Sequence, residues 1–262
     1  MNNQHLNEKK TRLSVDYFEK MHIIKNRKED EVAIMLIQFN FKNFRSFREE
    51  VTLDLSATKM TEFSERVVTI GSEKILPIAA IYGANASGKS NIYSAFEYMA
   101  EYVVDSFKYG DEEEKFEEYR PTPFLFDSTS ADAESSFEVY FTIPGDKNEK
   151  TYNYGFCVDQ EGVTEEWLNS KAKTARKYST VFYRGNSDSE LDLSGLPKNS
   201  RDNIKIALEK QVLIASLGAK LKISKCKAIR DWFLINEFAD FGDPVTNFFL
   251  SHRLLRGFVD DK

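Results

Sequence analysis

Residues 83–91 read Gly83-Ala84-Asn85-Ala86-Ser87-Gly88-Lys89-Ser90-Asn91, and they indicate the fold of the chain around them. The first eight residues match G-x-x-x-x-G-K-[ST], the pattern of a phosphate-binding loop. Glycines let such a loop curl until successive N–H groups converge on an anion, and the helix that follows adds the positive end of its dipole. We therefore predict that the loop binds a nucleoside triphosphate, with Lys89 at the β and γ phosphates and the Ser90 hydroxyl on Mg²⁺.

Apolar segments flank the loop on both sides. Residues 75–82 form a nearly continuous apolar run, which predicts a strand covered on both faces in a parallel sheet. Pro77 is expected near the start of this strand, because proline cannot donate to a central ladder. Downstream, apolar residues recur at three- and four-residue spacing, which predicts an amphipathic helix. These positions are Ile92, Ala95, Phe96, Met99, Val103 and Phe107. Strand, loop and helix in this order are the context in which the pattern binds phosphate.

Composition limits the classes of function. Hydrophobic residues make up 41% of the 262 residues, enough for a substantial core, and the net charge of −6 argues against a general nucleic-acid coat. The two cysteines, Cys157 and Cys226, have no C-x-x-C partner, so the sequence indicates neither a zinc site nor a disulfide framework. No run approaches about 18 consecutive apolar residues, and no apolar leader opens the chain. We therefore expect a cytoplasmic protein without membrane contact.

Changes in residue pattern divide the chain into four segments. Residues 1–34 are a polar N-terminal extension, and Met35 is suspected to be the functional start. Residues 35–110 hold the N-terminal part of a P-loop NTPase core. Residues 111–190, which begin with an acidic run that is expected to be solvated, form an antiparallel β subdomain. Residues 191–262 are helical and locally basic.

Alternating apolar residues predict antiparallel strands in two of these segments. The predicted strands are residues 35–44, 51–55, 137–143, 152–158, 163–168 and 181–184. Their aromatic side chains are expected to pack a core, with a base-stacking platform as the alternative. Two strands ahead of a phosphate loop indicate a mixed β arrangement rather than a simple Rossmann βαβ unit.

The last segment is predicted to begin with a helix that Ser200 caps and Gly218 ends. A basic cluster follows within residues 220–230. Its members are Lys220, Lys222, Lys225, Lys227 and Arg230. A solvated helix face explains such a cluster most simply, and binding of DNA, RNA or an acidic partner is the alternative.

Two motifs together resemble one family. The run Asn43-Phe44-Arg45-Ser46-Phe47 ends the first predicted strand, and the phosphate loop follows later in the chain. The pair resembles the N-terminal lobe of ABC-type ATPases of the RecF, SMC and OLD group. More narrowly, it is similar to AAA-family ATP-binding proteins of the AAA_15/AAA_21 type, which are found in bacterial abortive-infection and restriction-linked loci. The family's G-x-N-x-[AS]-G-K-S pattern is matched by Gly83, Asn85, Ser87, Gly88, Lys89 and Ser90.

This resemblance implies an α/β fold, in which a P-loop NTPase core like lobe I of ABC ATPases carries an antiparallel β subdomain and a C-terminal helical part. It covers Met35 to the end of the chain but matches only the N-terminal half of the family's domain, so the fold is expected to be incomplete. It implies ATP and Mg²⁺ as cofactors held by residues 83–91, and a second ATPase lobe or protomer as partner. Nucleic acid or an effector protein of a phage-defence or DNA-maintenance system is a further candidate partner. Whether Arg45 contacts the nucleotide stays open.

Two motifs that ABC-type hydrolysis requires are not found. They are an apolar run followed by Asp-Glu, and an L-S-G-G-type signature. Residues 232–237 (Trp-Phe-Leu-Ile-Asn-Glu) imitate the first with Asn in place of Asp, and their neighbours suit an amphipathic helix better. Residues 193–197 (Leu-Ser-Gly-Leu-Pro) imitate the second without its second glycine. The sequence therefore predicts ATP binding and leaves hydrolysis uncertain. A non-catalytic regulatory module is the main alternative, and a P-loop kinase, which the long antiparallel insertion disfavours, is the other.

Overall fold

The computed structural model describes residues 35–57, 64–110, 113–143, 150–236 and 238. The predicted N-terminal extension and residues 239–262 of the last segment lie outside these ranges. The strands are β1 (Met35–Lys42), β2 (Val51–Asp54), β3 (Val68–Ile70), β4 (Glu73–Ile75), β5 (Ser135–Thr142), β6 (Thr151–Val158), β7 (Val163–Lys171) and β8 (Ser179–Arg184). The helices are α1 (Lys89–Asp105), α2 (Glu113–Glu118), α3 (Ser128–Ala131), α4 (Lys198–Ala207), α5 (Ile214–Lys220) and α6 (Ser224–Leu234).

Six of the strands form one antiparallel sheet in the order β2-β1-β5-β6-β7-β8, and β3 pairs with β4 in a separate hairpin. In the large sheet, Phe39 of β1 lies opposite Leu53 of β2 and Val139 of β5. All six strands that alternation predicts are present in this sheet. The two strands that precede the phosphate loop therefore share one sheet with the four predicted between residues 137 and 184.

Helix α1 packs across one face of the sheet. Its Ala95, Met99 and Val103, three of the predicted apolar positions, are buried. Aromatic pairs fill the interface, with ring-centre distances of 5.1 Å for Phe96–Phe39, 5.0 Å for Tyr98–Phe137 and 5.2 Å for Tyr102–Phe156. Because these strand rings are buried against the helix, they form the core and cannot stack on bases.

Helices α5 and α6 pack against each other and continue the layer over the sheet. The Trp232 ring of α6 lies 4.4 Å from the Phe141 ring of the sheet, and both Trp232 and Phe233 are buried. Gly218 lies inside α5, where an added Cβ would come within 2.5 Å of the Cys226 sulfur. The glycine therefore permits the close approach of the two helices rather than ending one.

The single helix predicted from Ser200 to Gly218 is wrong. Two helices, α4 and α5, are separated by residues 208–213. The Arg184 guanidinium of β8 donates to the carbonyl oxygens of Val212 (2.8 Å) and Glu209 (3.1 Å) within this break. These contacts with the sheet hold the backbone of residues 208–213 out of a helix, because tertiary hydrogen bonds override local helix preference.

Glu166 of β7 is a buried carboxylate that fixes the start of α5. It accepts hydrogen bonds from the backbone N–H groups of Ile214 (2.6 Å) and Ala215 (3.0 Å) and from the Tyr154 hydroxyl (3.0 Å). Burial raises the pKa of Glu166 to about 7, although these hydrogen bonds favour the charged form. The sequence pattern gave no sign of this residue, since one acidic residue in a strand usually faces water.

The pKa of Glu166 makes stability depend on pH. Its folded-state pKa lies above its ordinary value of 4.5, so the folded state binds the proton more tightly and loses stability as pH rises from about 4.5 to about 7. We expect this loss to reach roughly 3 kcal/mol and to disappear in Glu166→Gln. Urea unfolding at pH 5 and pH 7.5 measures it, with the exposed Glu65→Gln as control. An unchanged pH dependence in Glu166→Gln would contradict this assignment.

Within the described part of the chain, no helix combines the length and apolar character needed to cross a bilayer.

Candidate phosphate-binding site

The segment that leads into the phosphate loop is not the predicted strand. Strand β4 ends at Ile75, so the prediction for residues 75–82 is wrong beyond that residue. The Leu76 N–H still donates to the Leu55 carbonyl (2.8 Å), but among the described residues the backbone of residues 77–82 has no hydrogen-bond partner. A strand needs a neighbour, and the described ranges supply none here.

The loop itself opens directly into a long helix. Gly88 has φ +90° and Ala86 has φ 62°, both in the left-handed region that tight phosphate loops use. Helix α1 begins at Lys89 and runs for 17 residues, and no side chain caps its first turn. The positive end of its dipole is therefore presented on the exposed face of residues 83–87.

Lys89 closes over the loop. Its Nζ donates to the carbonyl oxygens of Gly83 (2.8 Å) and Ala84 (2.5 Å). The ammonium therefore lies within the curve of the loop, next to the start of the helix. A phosphate bound at that point would replace the two carbonyl oxygens as its partner. Ser90 is exposed on the first turn of the helix, so its hydroxyl is accessible to a cation on such a phosphate.

The turn at residues 43–47 supports the loop from beneath. A Cβ added to Gly88 would lie 2.8 Å from Phe47 Cζ and 3.0 Å from Ser46 Oγ, so Gly88 rests directly on this turn. Asn91 Nδ2 also donates to Ser46 Oγ (2.7 Å). The two motifs on which the resemblance depends are thus in contact. The sequence did not predict that Ser46 and Phe47 position the loop, because sequence patterns do not show which residues far apart in the chain are in contact.

Asn43 anchors this turn to the protein. It is buried with φ 52°, and its Nδ2 donates to the carbonyl oxygens of Ser130 (2.8 Å) and Ala133 (2.9 Å). Its Oδ1 accepts the backbone N–H of Phe124 (3.0 Å). Asparagine tolerates the left-handed backbone better than most residues. One side chain therefore fixes both the turn and the loop beside it.

Arg45 lies on the turn that supports the phosphate loop, and its side chain packs on the neighbouring Phe44 ring. Its backbone N–H donates to the Thr122 carbonyl (2.7 Å), and its guanidinium carbon lies 5.3 Å from the Phe44 ring centre. The side chain is exposed. This geometry holds Arg45 on its own turn.

The two segments that imitate catalytic motifs pack into the fold of this chain. Trp232 and Phe233 lie in α6, as the amphipathic pattern predicts, and point into the core. In the other imitation, Leu193 and Leu196 are buried, and the Gly195 carbonyl accepts Lys225 Nζ (2.8 Å). Among the described residues, no group of three or more His, Cys, Asp or Glu side chains could hold a metal ion.

The predicted basic cluster is divided between separate contacts. Lys220 Nζ and the Arg230 guanidinium carbon lie 4.8 and 5.6 Å from the Phe107 ring centre. Lys227 forms an ion pair with Asp231 on α6. Lys225 bonds the Gly195 carbonyl, so the contacts of these four cations are divided among the Phe107 ring, Asp231 and Gly195.

A comparison with known protein families identifies the family to which this chain is related. The sequence model of the family described as "AAA domain, putative AbiEii toxin, Type IV TA system" (AAA_21) matches residues 78–251, about two thirds of the chain. The chain belongs to the AAA_21 family. No curated protein is significantly similar to it. The matched stretch begins at Ile78 and includes the loop and α1, whereas the supporting turn precedes it. This AAA_21 protein therefore has a mixed α/β structure with a mostly antiparallel sheet and a domain of the P-loop ATPase class.

Proposed function

We propose that this AAA_21 protein binds ATP with Mg²⁺ through residues 83–91, as the N-terminal portion of an ABC-like P-loop ATPase. One observation carries the proposal. The loop places a left-handed Gly88 and the Lys89 ammonium at the uncapped start of α1, which is the arrangement that holds a phosphate. In this proposal the antiparallel sheet is the β subdomain of an ABC-type lobe I, and α1 joins it to the nucleotide.

The loop contributes three kinds of group in this proposal. The backbone N–H groups at the start of α1 hold the α and β phosphates. Lys89 exchanges the Gly83 and Ala84 carbonyl oxygens for β and γ phosphate oxygens, and its charge favours the exchange. Ser90 orients its hydroxyl toward the cation. The Mg²⁺ ion, when bound, neutralises charge on the β and γ phosphates.

Hydrolysis, in this proposal, depends on a second ATPase lobe or protomer. The two segments that imitate catalytic motifs bury Trp232, Phe233, Leu193 and Leu196 in the fold of this chain. Those residues cannot also face a nucleotide. We propose that the second lobe or protomer supplies the acidic residue and the signature, and that the isolated chain binds ATP with little turnover.

The burial of the two segments that imitate catalytic motifs also favours one alternative, a regulatory module that binds ATP without hydrolysing it. The two functions differ in whether a second lobe adds ATP hydrolysis. The family description supports a role in bacterial defence of the toxin–antitoxin type, which we propose for either function. We also propose a cytoplasmic location, where Mg-ATP is available and the free thiols of Cys157 and Cys226 stay reduced.

Removal of Mg²⁺ tests the proposal. We expect a fluorescent ATP analogue to bind the wild-type chain saturably and to bind roughly tenfold or more weakly in EDTA, because one charge-assisted contact is worth about 1.5–3 kcal/mol. Ser90→Ala should bind as weakly with Mg²⁺ as without it. The exposed strand residue Ser179→Ala is the matched control and should behave as wild type. Saturable binding that is insensitive to both EDTA and Ser90→Ala would contradict the assignment of Ser90 to the cation.

A further inference from the structure

Three cationic side chains converge on one aromatic ring just beyond the end of α1 that lies away from the phosphate loop. Lys108 Nζ, Lys220 Nζ and the Arg230 guanidinium carbon lie 5.5, 4.8 and 5.6 Å from the Phe107 ring centre. The backbone N–H of Phe107 donates to Ser216 Oγ of α5 (3.1 Å), which holds this residue against that helix. We name the three cations and the ring the cationic patch.

The positive charge of the cationic patch is only partly neutralised. Lys108 forms an ion pair with Asp105 at 2.6 Å. Within the part of the chain that the structure describes, Lys220 and Arg230 have no acidic partner, and the buried Nε of Arg230 accepts no contact from a hydrogen-bond acceptor. Residues 214–234 hold five cationic side chains and one acidic one, although the whole chain has a net charge of −6. The patch is therefore a local positive surface on an acidic protein.

The Phe107 ring positions these cations for an anion. A cation held beside an aromatic ring is placed without having its charge cancelled by a carboxylate. Less side-chain freedom is therefore lost when an anion binds. Lys220 is exposed, and Lys108 and Arg230 are partly exposed, so an anion can reach all three. A ligand with several closely spaced negative charges suits three cations around one ring.

The chemistry of the cationic patch favours the backbone of double-stranded DNA. Two of its three cations are lysines, which are depleted in protein–protein interfaces but are common phosphate ligands. The Phe107 ring is partly buried and contacts three cations, so it is not free to stack on the bases of a single strand. Duplex RNA is recognised over about 16 base pairs through its 2′-hydroxyl groups, which requires a longer surface. Duplex DNA requires only phosphate contacts.

We propose that Lys108, Lys220 and Arg230 bind the phosphate backbone of double-stranded DNA without reading its sequence. The 17 residues of α1 separate the cationic patch from the phosphate loop, which is about 25 Å along a helix. DNA bound at the patch leaves the nucleotide site open. The proposal therefore does not depend on ATP binding by residues 83–91.

Anisotropy of a fluorescein-labelled DNA duplex tests the proposal on the full chain. With a duplex of about 20 base pairs, we expect log K to fall against log[NaCl] with a slope of about −2.7, because three phosphates are neutralised. Lys220→Gln with Arg230→Gln should weaken binding at least roughly tenfold at about 50 mM NaCl and change the slope to about −0.9. The matched control, Lys74→Gln with Lys177→Gln, removes the same charge from exposed positions and should bind like wild type.

Several results would overturn the proposal. Absence of binding at about 50 mM NaCl, or equal affinity in the two double variants, excludes a DNA site at the cationic patch. Tighter binding of a single strand or of duplex RNA with the same sequence assigns the patch to another nucleic acid. Competition by polyglutamate at matched charge concentration, if it is lost in Lys220→Gln with Arg230→Gln, assigns the patch to an acidic protein.

The single variant Lys220→Gln keeps the test decisive if the double variant does not fold. Lys220 is exposed, so this variant should unfold like wild type. Its slope should be about −1.8, while its affinity for a fluorescent ATP analogue stays unchanged. A slope equal to that of wild type contradicts the proposal. DNA binding by a wild-type chain that fails to bind ATP would refute the nucleotide site alone, so the two failures are distinguishable.

Discussion

Lys89→Ala is expected to weaken ATP binding by more than about a hundredfold. The ammonium lies within the loop, where it contacts the Gly83 and Ala84 carbonyl oxygens at 2.8 and 2.5 Å. A bound nucleotide would take two charge-assisted hydrogen bonds from it, each worth about 1.5–3 kcal/mol, and every 1.4 kcal/mol is about a factor of ten in affinity. Anisotropy of a fluorescent ATP analogue measures the loss.

Two controls make this result specific. Lys177→Ala removes an exposed lysine away from the loop and should bind like wild type. Thermal unfolding of Lys89→Ala should stay within a few degrees of wild type, because a surface contact of this kind contributes about 1 kcal/mol or less. Unchanged affinity in a folded Lys89→Ala protein would be incompatible with a phosphate-binding role for the loop.

Asn43→Ala is expected to lower the free energy of unfolding by roughly 3–5 kcal/mol. The change removes the two Nδ2 N–H donors that the Ser130, Ala133 and Glu134 carbonyl oxygens share and the acceptor of the Phe124 N–H, and each hydrogen bond lost in this way costs about 1–3 kcal/mol. Alanine at φ 52° adds about 1 kcal/mol of strain. Urea denaturation measures the change, and ATP affinity should fall with it because the same turn supports Gly88.

The matched variants separate these two contributions. Asn43→Gly relieves the backbone strain but loses the same hydrogen bonds, so it should recover only about 1 kcal/mol. Asn203→Ala, an exposed position on α4, should leave stability within about 0.5 kcal/mol of wild type. If Asn43→Ala were as stable as Asn203→Ala, the anchoring role of Asn43 would be wrong.

Periodic patterns predicted the parts of this protein that local sequence determines. The alternation in β1, β2 and β5–β8 and the apolar stripe of α1 place most of their large side chains in one core, while Met35 and Ile37 of β1 pack with Ile70 and Ile75 in a second cluster. The phosphate-loop pattern likewise predicted where a helix begins, since Gly88 and Lys89 mark that boundary. These features depend on residues that are neighbours along the chain.

Features that depend on distant partners could not be predicted. The apolar run at residues 75–82 indicated burial, but a strand forms only with a neighbour that the described ranges lack. The helix predicted through residues 208–213 is interrupted by Arg184, which lies on a strand more than twenty residues earlier in the sequence. The support of Gly88 by Phe47 and the burial of Glu166 also depend on contacts between residues that are distant in the sequence.

Observing the loop while ATP binds tests whether residues 83–91 hold the nucleotide. In a sample labelled with ¹⁵N-glycine, the amide resonances of Gly83 and Gly88 report on the two ends of the loop. Titration with Mg-ATP should shift both in a saturable manner, while glycines remote from the loop, such as Gly195, stay in place. Saturable ATP binding that leaves Gly83 and Gly88 unmoved, or no binding at all, would contradict the assignment of residues 83–91 as the nucleotide site.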